Sequence, residues 1–227
     1  MADVRTGVTV RGAGRAVVGV LWAFLVLVLW LWGGGAPGGA AGMSAPTTGD
    51  MAAVGRPPGV PMPVAHPPLT ASRPQRLAVP ALGISAPVVV RGLDARGAVD
   101  PPSWTAADRV GWYGAGALPG EPGAALFVGH VDTDTRPAVF YDLSTVRPGE
   151  RIEVTGEDGR VTVFTVDDVR VFDRARFDAR LVYGPREAGR AELRLITCGG
   201  AFDRASGSYT ANVVVSAYLT GTGARTG

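Results

Sequence analysis

Leu193-Arg194-Leu195-Ile196-Thr197-Cys198-Gly199-Gly200 holds the only cysteine of the chain. Leu193, Leu195 and Thr197 alternate with Arg194, Ile196 and Cys198, the period-two pattern of a half-buried β-strand. The glycine pair is expected to stop that strand and to leave the thiol displayed at its end. A lone cysteine cannot close an internal disulfide. Two readings of it stay open, a small buried hydrophobe or a nucleophile.

Working outward, the same alternation recurs across residues 76–219, a length that supports one real core. Strands are expected at Arg76–Val79, Ala86–Val90, Ala124–His130, Arg151–Val154, Val161–Phe172, Ala191–Thr197 and Tyr209–Ala217. Turn signals at Pro148-Gly149, Asp158-Gly159, Gly184-Pro185 and Ser206-Gly207 separate them, and Asp158-Gly159 between two alternating runs predicts a hairpin. Only Pro137–Leu143 and Arg174–Ala179 read as short helices. Seven or eight short strands in this length predict a mostly β fold, a closed or nearly closed barrel. The segment Phe172–Gly189 is expected to line a substrate groove.

The N-terminal third reads differently. Ala16 to Trp32 is an uncharged apolar run of 17 residues, near the lower limit for a membrane-spanning helix. Arg5, Arg11 and Arg15 precede it and the next basic residue is Arg56, so the positive-inside rule places residues 1–15 in the cytoplasm. Trp22, Trp30 and Trp32 partly fit an interfacial belt. The expectation is a retained anchor over 16–34, a single-pass membrane protein with the rest exported. A cleaved signal peptide ending near Gly39-Ala40-Ala41 is the competing reading. Residues 35–75 are rich in Gly, Ala and Pro without hydrophobic periodicity, which predicts a disordered linker holding the domain off the membrane. Residues 220–227 read as a tail.

Composition excludes one class of partner. The formal charge is only +2, and all 22 basic residues are arginine with no basic stripe among aromatics, so nucleic acid is not expected. One Cys and one His without a carboxylate cluster do not assemble a closed zinc site, so neither metal nor cofactor is expected.

Of the two histidines, His66 lies in the linker beside Pro67 and reads as solvated. His130 ends the apolar run Ala124-Ala125-Leu126-Phe127-Val128-Gly129, again at the rim of a barrel. A free thiol is only a few per cent thiolate at neutral pH, and a neighbouring imidazolium or guanidinium raises that share. The histidine then serves as acid for a leaving amine. Packing roles for both residues remain the ordinary alternative.

The Leu-Ile-Thr-Cys strand resembles the signature strand of sortases, membrane-anchored cysteine transpeptidases of Gram-positive bacteria. Arg76-Leu77-Ala78-Val79-Pro80-Ala81-Leu82-Gly83-Ile84 is similar to their first strand. Val110-Gly111-Trp112-Tyr113 and Pro119-Gly120 resemble the segment before the histidine strand, and Val128-Gly129-His130-Val131-Asp132 the histidine motif. Val213-Val214-Val215-Ser216-Ala217 resembles the last strand. The Gly-His-Val-Asp and Thr-Cys-Gly-Gly versions are most similar to class F sortases of actinobacteria. The resemblance implies a closed eight-stranded barrel with an extracellular site. In it Cys198 attacks the Thr–Gly bond of an LPXTG-like sorting signal to give a thioacyl enzyme. An amine from a peptidoglycan precursor or a pilin then resolves the intermediate. His130 is implied as acid and then base, and Thr197 as a residue shaping the site.

The resemblance departs from its pattern in one place. Sortases carry an arginine on the last strand that holds substrate and developing oxyanion, and here Thr210 and Asn212 occupy the relevant face. Arg204, in the Phe202-Asp203-Arg204 loop, and Asn212 are the two expected substitutes. Asp132 and Asp134 read as turn formers or as orienters of the imidazole, Trp104 and Trp112 as packing residues. Two alternatives to the transpeptidase follow. One is a secreted cysteine hydrolase that uses water as acceptor. The other is a catalytically impaired barrel that only binds envelope peptides.

Overall fold

The computed structural model describes residues 61–223. The expected cytoplasmic segment, the anchor over 16–34, residues 35–60 of the linker and residues 224–227 of the tail lie outside the described residues. Among the described residues, no helix is long and apolar enough to cross a membrane.

Eight strands form a closed barrel: β1 Pro74–Val79, β2 Ile84–Arg91, β3 Val110–Tyr113, β4 Gly123–Val128, β5 Arg151–Gly156, β6 Val161–Asp173, β7 Ala191–Asp203 and β8 Ser208–Gly223. Their order around the barrel is β1-β2-β3-β4-β7-β8-β6-β5. Neighbours pair antiparallel except β2 with β3 and β4 with β7, which are parallel. Closure leaves no unpaired edge, the standing liability of an all-β fold. The alternation seen in the sequence sorts residues onto two faces. Ala125 and Phe127 of β4, Leu193 and Leu195 of β7, Val213, Val215 and Ala217 of β8, and Phe164 and Val166 of β6 fill the interior.

The opposite parity builds a second apolar cluster on the outside of the barrel. Leu126 and Val128 of β4, Ile196 of β7 and Val214 of β8 pack there with Val99 and Val182, flanked by Phe172, Phe177 and Tyr183. Val182 and Tyr183 belong to α1, Ala179–Tyr183, the single α-helix among the described residues. The segment between β6 and β7, expected to border a groove, therefore covers the outer face of β4, β7 and β8.

Several expectations need correction. The glycine pair does not stop β7, which runs through to Asp203. Gly200 takes φ +78° and the β7–β8 register shifts between Gly199 and Phe202, so the glycines carry a bulge instead of an end. The helix expected over Pro137–Leu143 is absent. The Ala138 and Phe140 N–H groups donate to Val131 and His130 carbonyls, which holds this stretch against the histidine loop and withholds the donors a helix needs. The second expected helix, Arg174–Ala179, is split into the one-turn 3-10 helix Arg174–Arg176 and α1. Asp173 and Asp178 each accept from the backbone N–H groups that follow and start a new turn.

Residues 61–73, assigned to the linker, run along the barrel. The His66 N–H donates to Leu219 O, Leu69 N–H to Gly120 O, and Tyr218 Oη to Pro63 O. Backbone donors and acceptors at strand margins make this strap possible where side-chain hydrophobicity gave no sign of it. β8 likewise continues to Gly223, past the expected tail boundary, because Val161 of β6 pairs with Gly223.

Candidate active site

The last rung of the parallel β4–β7 ladder joins Val128 to Ile196, and the Gly129 N–H continues it by donating to Ile196 O at 3.1 Å. His130 and Cys198 each stand two residues beyond that rung. Both therefore lie at about the same level, Cys198 within β7 on the face of Ile196 and His130 just past the end of β4. Gly129 is required between them: a Cβ there would lie 2.6 Å from Phe140 and 2.7 Å from Val139 side-chain atoms. The close approach lets the chain turn His130 toward its neighbours.

His130 is buried, and its imidazole is held from the side away from β7. Its Nε2 lies 2.7 Å from Pro102 O, and its ring stacks on Trp104 with centroids 4.0 Å apart. A carbonyl only accepts, so Nε2 carries a hydrogen, and Nδ1 makes no hydrogen bond with a described residue. Pro102 is fixed in turn through the ion pair of Arg91, the last residue of β2, with Asp100. Trp104, expected as packing, remains 65% exposed even with this stack, whereas Trp112 is core.

Cys198 is half-buried and free. No hydrogen bond joins it to His130 among the described residues. Burial pushes its thiol pKa up; the Arg174 guanidinium pulls it down and the Asp132 carboxylate adds to the rise. Asp132 does not engage the imidazole. It accepts a hydrogen bond from Tyr209 Oη, which ties β8 to the histidine loop and pushes the Tyr209 phenol up to about 12. Asp134 is exposed.

Asn212 is the direct partner of Cys198 in the β7–β8 ladder. Opposed residues of an antiparallel pair project to the same face, so the amide stands beside the thiol. Arg204 is not brought to the site. It lies in the exposed turn beyond the Asp203–Ser208 rung, six residue steps from Cys198, a span of about 20 Å at strand rise. Thr197 pairs with Val213 and faces the barrel interior, where its buried Oγ1 has no partner, so it shapes the core side of the strand. Thr210 accepts from the Ala201 N–H and braces the bulge.

Sequence reading missed Arg174. It precedes Cys198 in the chain, on the far side of the cysteine strand from Arg204, and no local motif connects it to the thiol. The same reading passed over the ion-pair network behind the site, in which buried Glu192 binds Arg194 at 2.6 Å and Arg190 at 2.9 Å. Glu192 also accepts from the Arg186 and Glu187 N–H groups, which anchors the return from α1 into β7. Among the described residues, no group of three His, Cys, Asp or Glu side chains is gathered closely enough to hold a metal ion.

Comparison with known proteins agrees with this arrangement. The sortase domain family matches residues 77–220. Similar solved structures include sortase C-1 from Actinomyces oris, 22% identical with a TM-score of 0.50, covering 64% of this chain and 71% of that one. Sortase C1 from Streptococcus agalactiae is 19% identical with a TM-score of 0.50, covering 65% and 67%. A sortase C from Streptococcus pneumoniae, described for its pilin substrate specificity, is 17% identical with a TM-score of 0.50, covering 69% and 73%. At these identities the structures show a shared fold. No curated protein sequence matches the chain. The family match spans more than half of the chain, which therefore belongs to the sortase family, cysteine transpeptidases that act on sorting signals.

Proposed function

We propose that this sortase-family chain is a membrane-anchored extracellular enzyme that cleaves an LPXTG-like sorting signal between Thr and Gly and transfers the new acyl end to an amine. The observation that carries this reading is the level placement of His130 and Cys198 beyond the Val128–Ile196 rung, beside an apolar outer face. That face is itself covered by the segment between β6 and β7, so in this reading the peptide reaches the half-buried thiol from the rim beyond the cluster, its Thr carbonyl at Cys198.

The steps follow from these groups. The Cys198 thiolate adds to the Thr carbonyl carbon, and the electron pair of the C=O bond moves to oxygen. Asn212, on the same face, donates to that oxyanion. The tetrahedral adduct collapses, the C–N bond breaks, and the glycine-side amine leaves with a proton from His130 Nδ1. The thioacyl enzyme remains. An incoming amine then attacks the thioester carbon, gives its proton to Nδ1, and releases the sulfur as thiolate.

The Gly-His-Val-Asp and Thr-Cys-Gly-Gly versions of the motifs support a class F assignment, whereas the similar solved structures are class C enzymes. The acceptor in this reading is a peptidoglycan-precursor amine or a pilin lysine. The pilin substrates of a structural neighbour favour keeping the second. The apolar run Ala16 to Trp32 and the arginines before it support an anchored, N-in topology.

The test is intact-mass analysis of the full chain with an LPXTG peptide, with and without triglycine. The expected result is an acyl adduct on Cys198 that triglycine converts to a ligated product. Cleavage that ignores triglycine favours a hydrolase. No adduct with LPXTG or LAXTG peptides favours a binding barrel and overturns the proposal.

A further inference from the structure

Three residues form one row across three neighbouring strands. Cys198 of β7 pairs with Asn212 of β8, and Asn212 pairs with Phe172 of β6. All three lie on the outer face, since Phe172 packs in the outer cluster and Asn212 has the parity of Val214. Two residues past Phe172 comes Arg174, opening the one-turn helix that packs on β8. The Asp173 carboxylate accepts from the Ala175 N–H at 2.8 Å and fixes that turn. Arg174 is exposed and enters no ion pair or hydrogen bond with a described residue, so its charge is not neutralised locally.

We propose that Arg174 is the cation that stabilises the Cys198 thiolate, acting across β8 from the end of β6 in place of an arginine at Thr210 or Asn212. The proposal rests on the reading of Cys198 as a nucleophile. The charged and titratable groups facing the sulfur are few. Arg174 comes from the β6 side, Asp132 from the loop after β4, and Tyr209 from β8, while His130 stands at the level of Cys198 past the end of β4. Tyr209 is a neutral phenol at physiological pH and brings no charge to the sulfur, its pKa pushed up to about 12 by the hydrogen bond to Asp132. Asp132 opposes ionisation of the thiol, and Arg174 is the guanidinium that favours it. Burial keeps the thiol above its ordinary value even so, and the Arg174 guanidinium offsets part of that rise and enlarges the thiolate share available for attack. Arg204, in a turn at the far end of the hairpin, is too distant to provide it.

The chain has a single cysteine, so alkylation by iodoacetamide, in which the thiolate displaces iodide, reports Cys198 alone. The experiment follows the alkylation rate of the full chain by intact mass from about pH 6 to about pH 11.5, a window that brackets a thiol raised by burial. It requires no sorting signal and is independent of transpeptidation. For Arg174→Gln, the midpoint should rise by about one pH unit and the rate at pH 7 fall roughly tenfold. Arg174→Lys should retain most of the wild-type rate, and Arg176→Gln, two residues on, should be unchanged. An Arg174→Gln midpoint equal to wild type overturns the proposal, as does an equal shift in Arg176→Gln. Arg174 is exposed, so the substitution leaves the fold intact.

Discussion

His130 and Cys198 stand two residues beyond one shared rung, Val128–Ile196, of a parallel strand pair. The parallel ladder is what makes equal offsets from that rung equal heights. An antiparallel pair would carry the same two residues away from each other.

If the two residues act as a pair, each loss has its own signature. Cys198→Ala should form no acyl adduct at all, whereas His130→Asn should still form one about 10²–10⁴ times more slowly. Single-turnover acylation followed by intact mass separates the two. An adduct in Cys198→Ala would place the chemistry elsewhere.

Asp132 raises the thiol pKa, so its neutralisation should have the opposite sign to loss of Arg174. Asp132→Asn retains an oxygen acceptor for Tyr209 Oη and removes only the charge. Alkylation of Cys198 at pH 7 should accelerate roughly two- to fivefold. A slower rate would mean that the carboxylate supports the thiolate by another route.

Trp104 covers the imidazole at a centroid distance of 4.0 Å yet is 65% exposed. Trp104→Ala should therefore leave thermal stability within about 0.5 kcal/mol while lowering kcat roughly three- to tenfold through a less fixed imidazole. Melting curves alongside transpeptidation kinetics read both. A large loss of Tm would identify Trp104 as a packing residue.

Gly129→Ala tests the close approach behind His130. The new Cβ would meet Phe140 at 2.6 Å, and Phe140 is fully buried. The expected cost is about 1–3 kcal/mol of stability, with a loss of kcat exceeding that of Trp104→Ala. Urea denaturation and turnover at equal folded fraction measure the two effects separately.

Glu192 joins stability to pH. Burial, the largest influence, pushes its carboxyl up. It is outweighed by the Arg186 N–H, the Arg194 guanidinium and the Glu187 N–H, so the folded value lies below the ordinary 4.5. The ionised form therefore adds stability above pH 4.5, and that stability is lost as pH falls through the folded value. Glu192→Gln should cost about 3 kcal/mol at pH 7 by leaving Arg194 buried without its counter-charge, on the order of 6–12 °C in Tm. The gap to wild type should narrow below about pH 4.5. A gap that stays constant with pH would mean the carboxylate charge is not what holds the network.

How much of this was legible in advance depends on the range of the interaction. Alternation at Leu193, Leu195 and Thr197 determined a strand, and alternation of this kind across the domain determined a mostly β core with its two faces. Residue types placed one cysteine and one histidine beside glycines, and ordered motifs tied them to a family. These are properties of neighbouring residues, set by the period of a strand. Strand pairing is not local in this sense. That β4 lies parallel to β7, that β8 lies between β7 and β6, and that Arg174 thereby comes two residues past the row of Cys198 depend on closure of the barrel. The continuation of β7 through Gly199-Gly200 was likewise decided by its partner, because β8 supplies the hydrogen bonds that keep a bulged strand in the sheet. The sequence by itself determined the chemistry available. The closed ladder decided which charges reach the thiol, since Coulomb interactions depend on distance in space and not on separation along the chain.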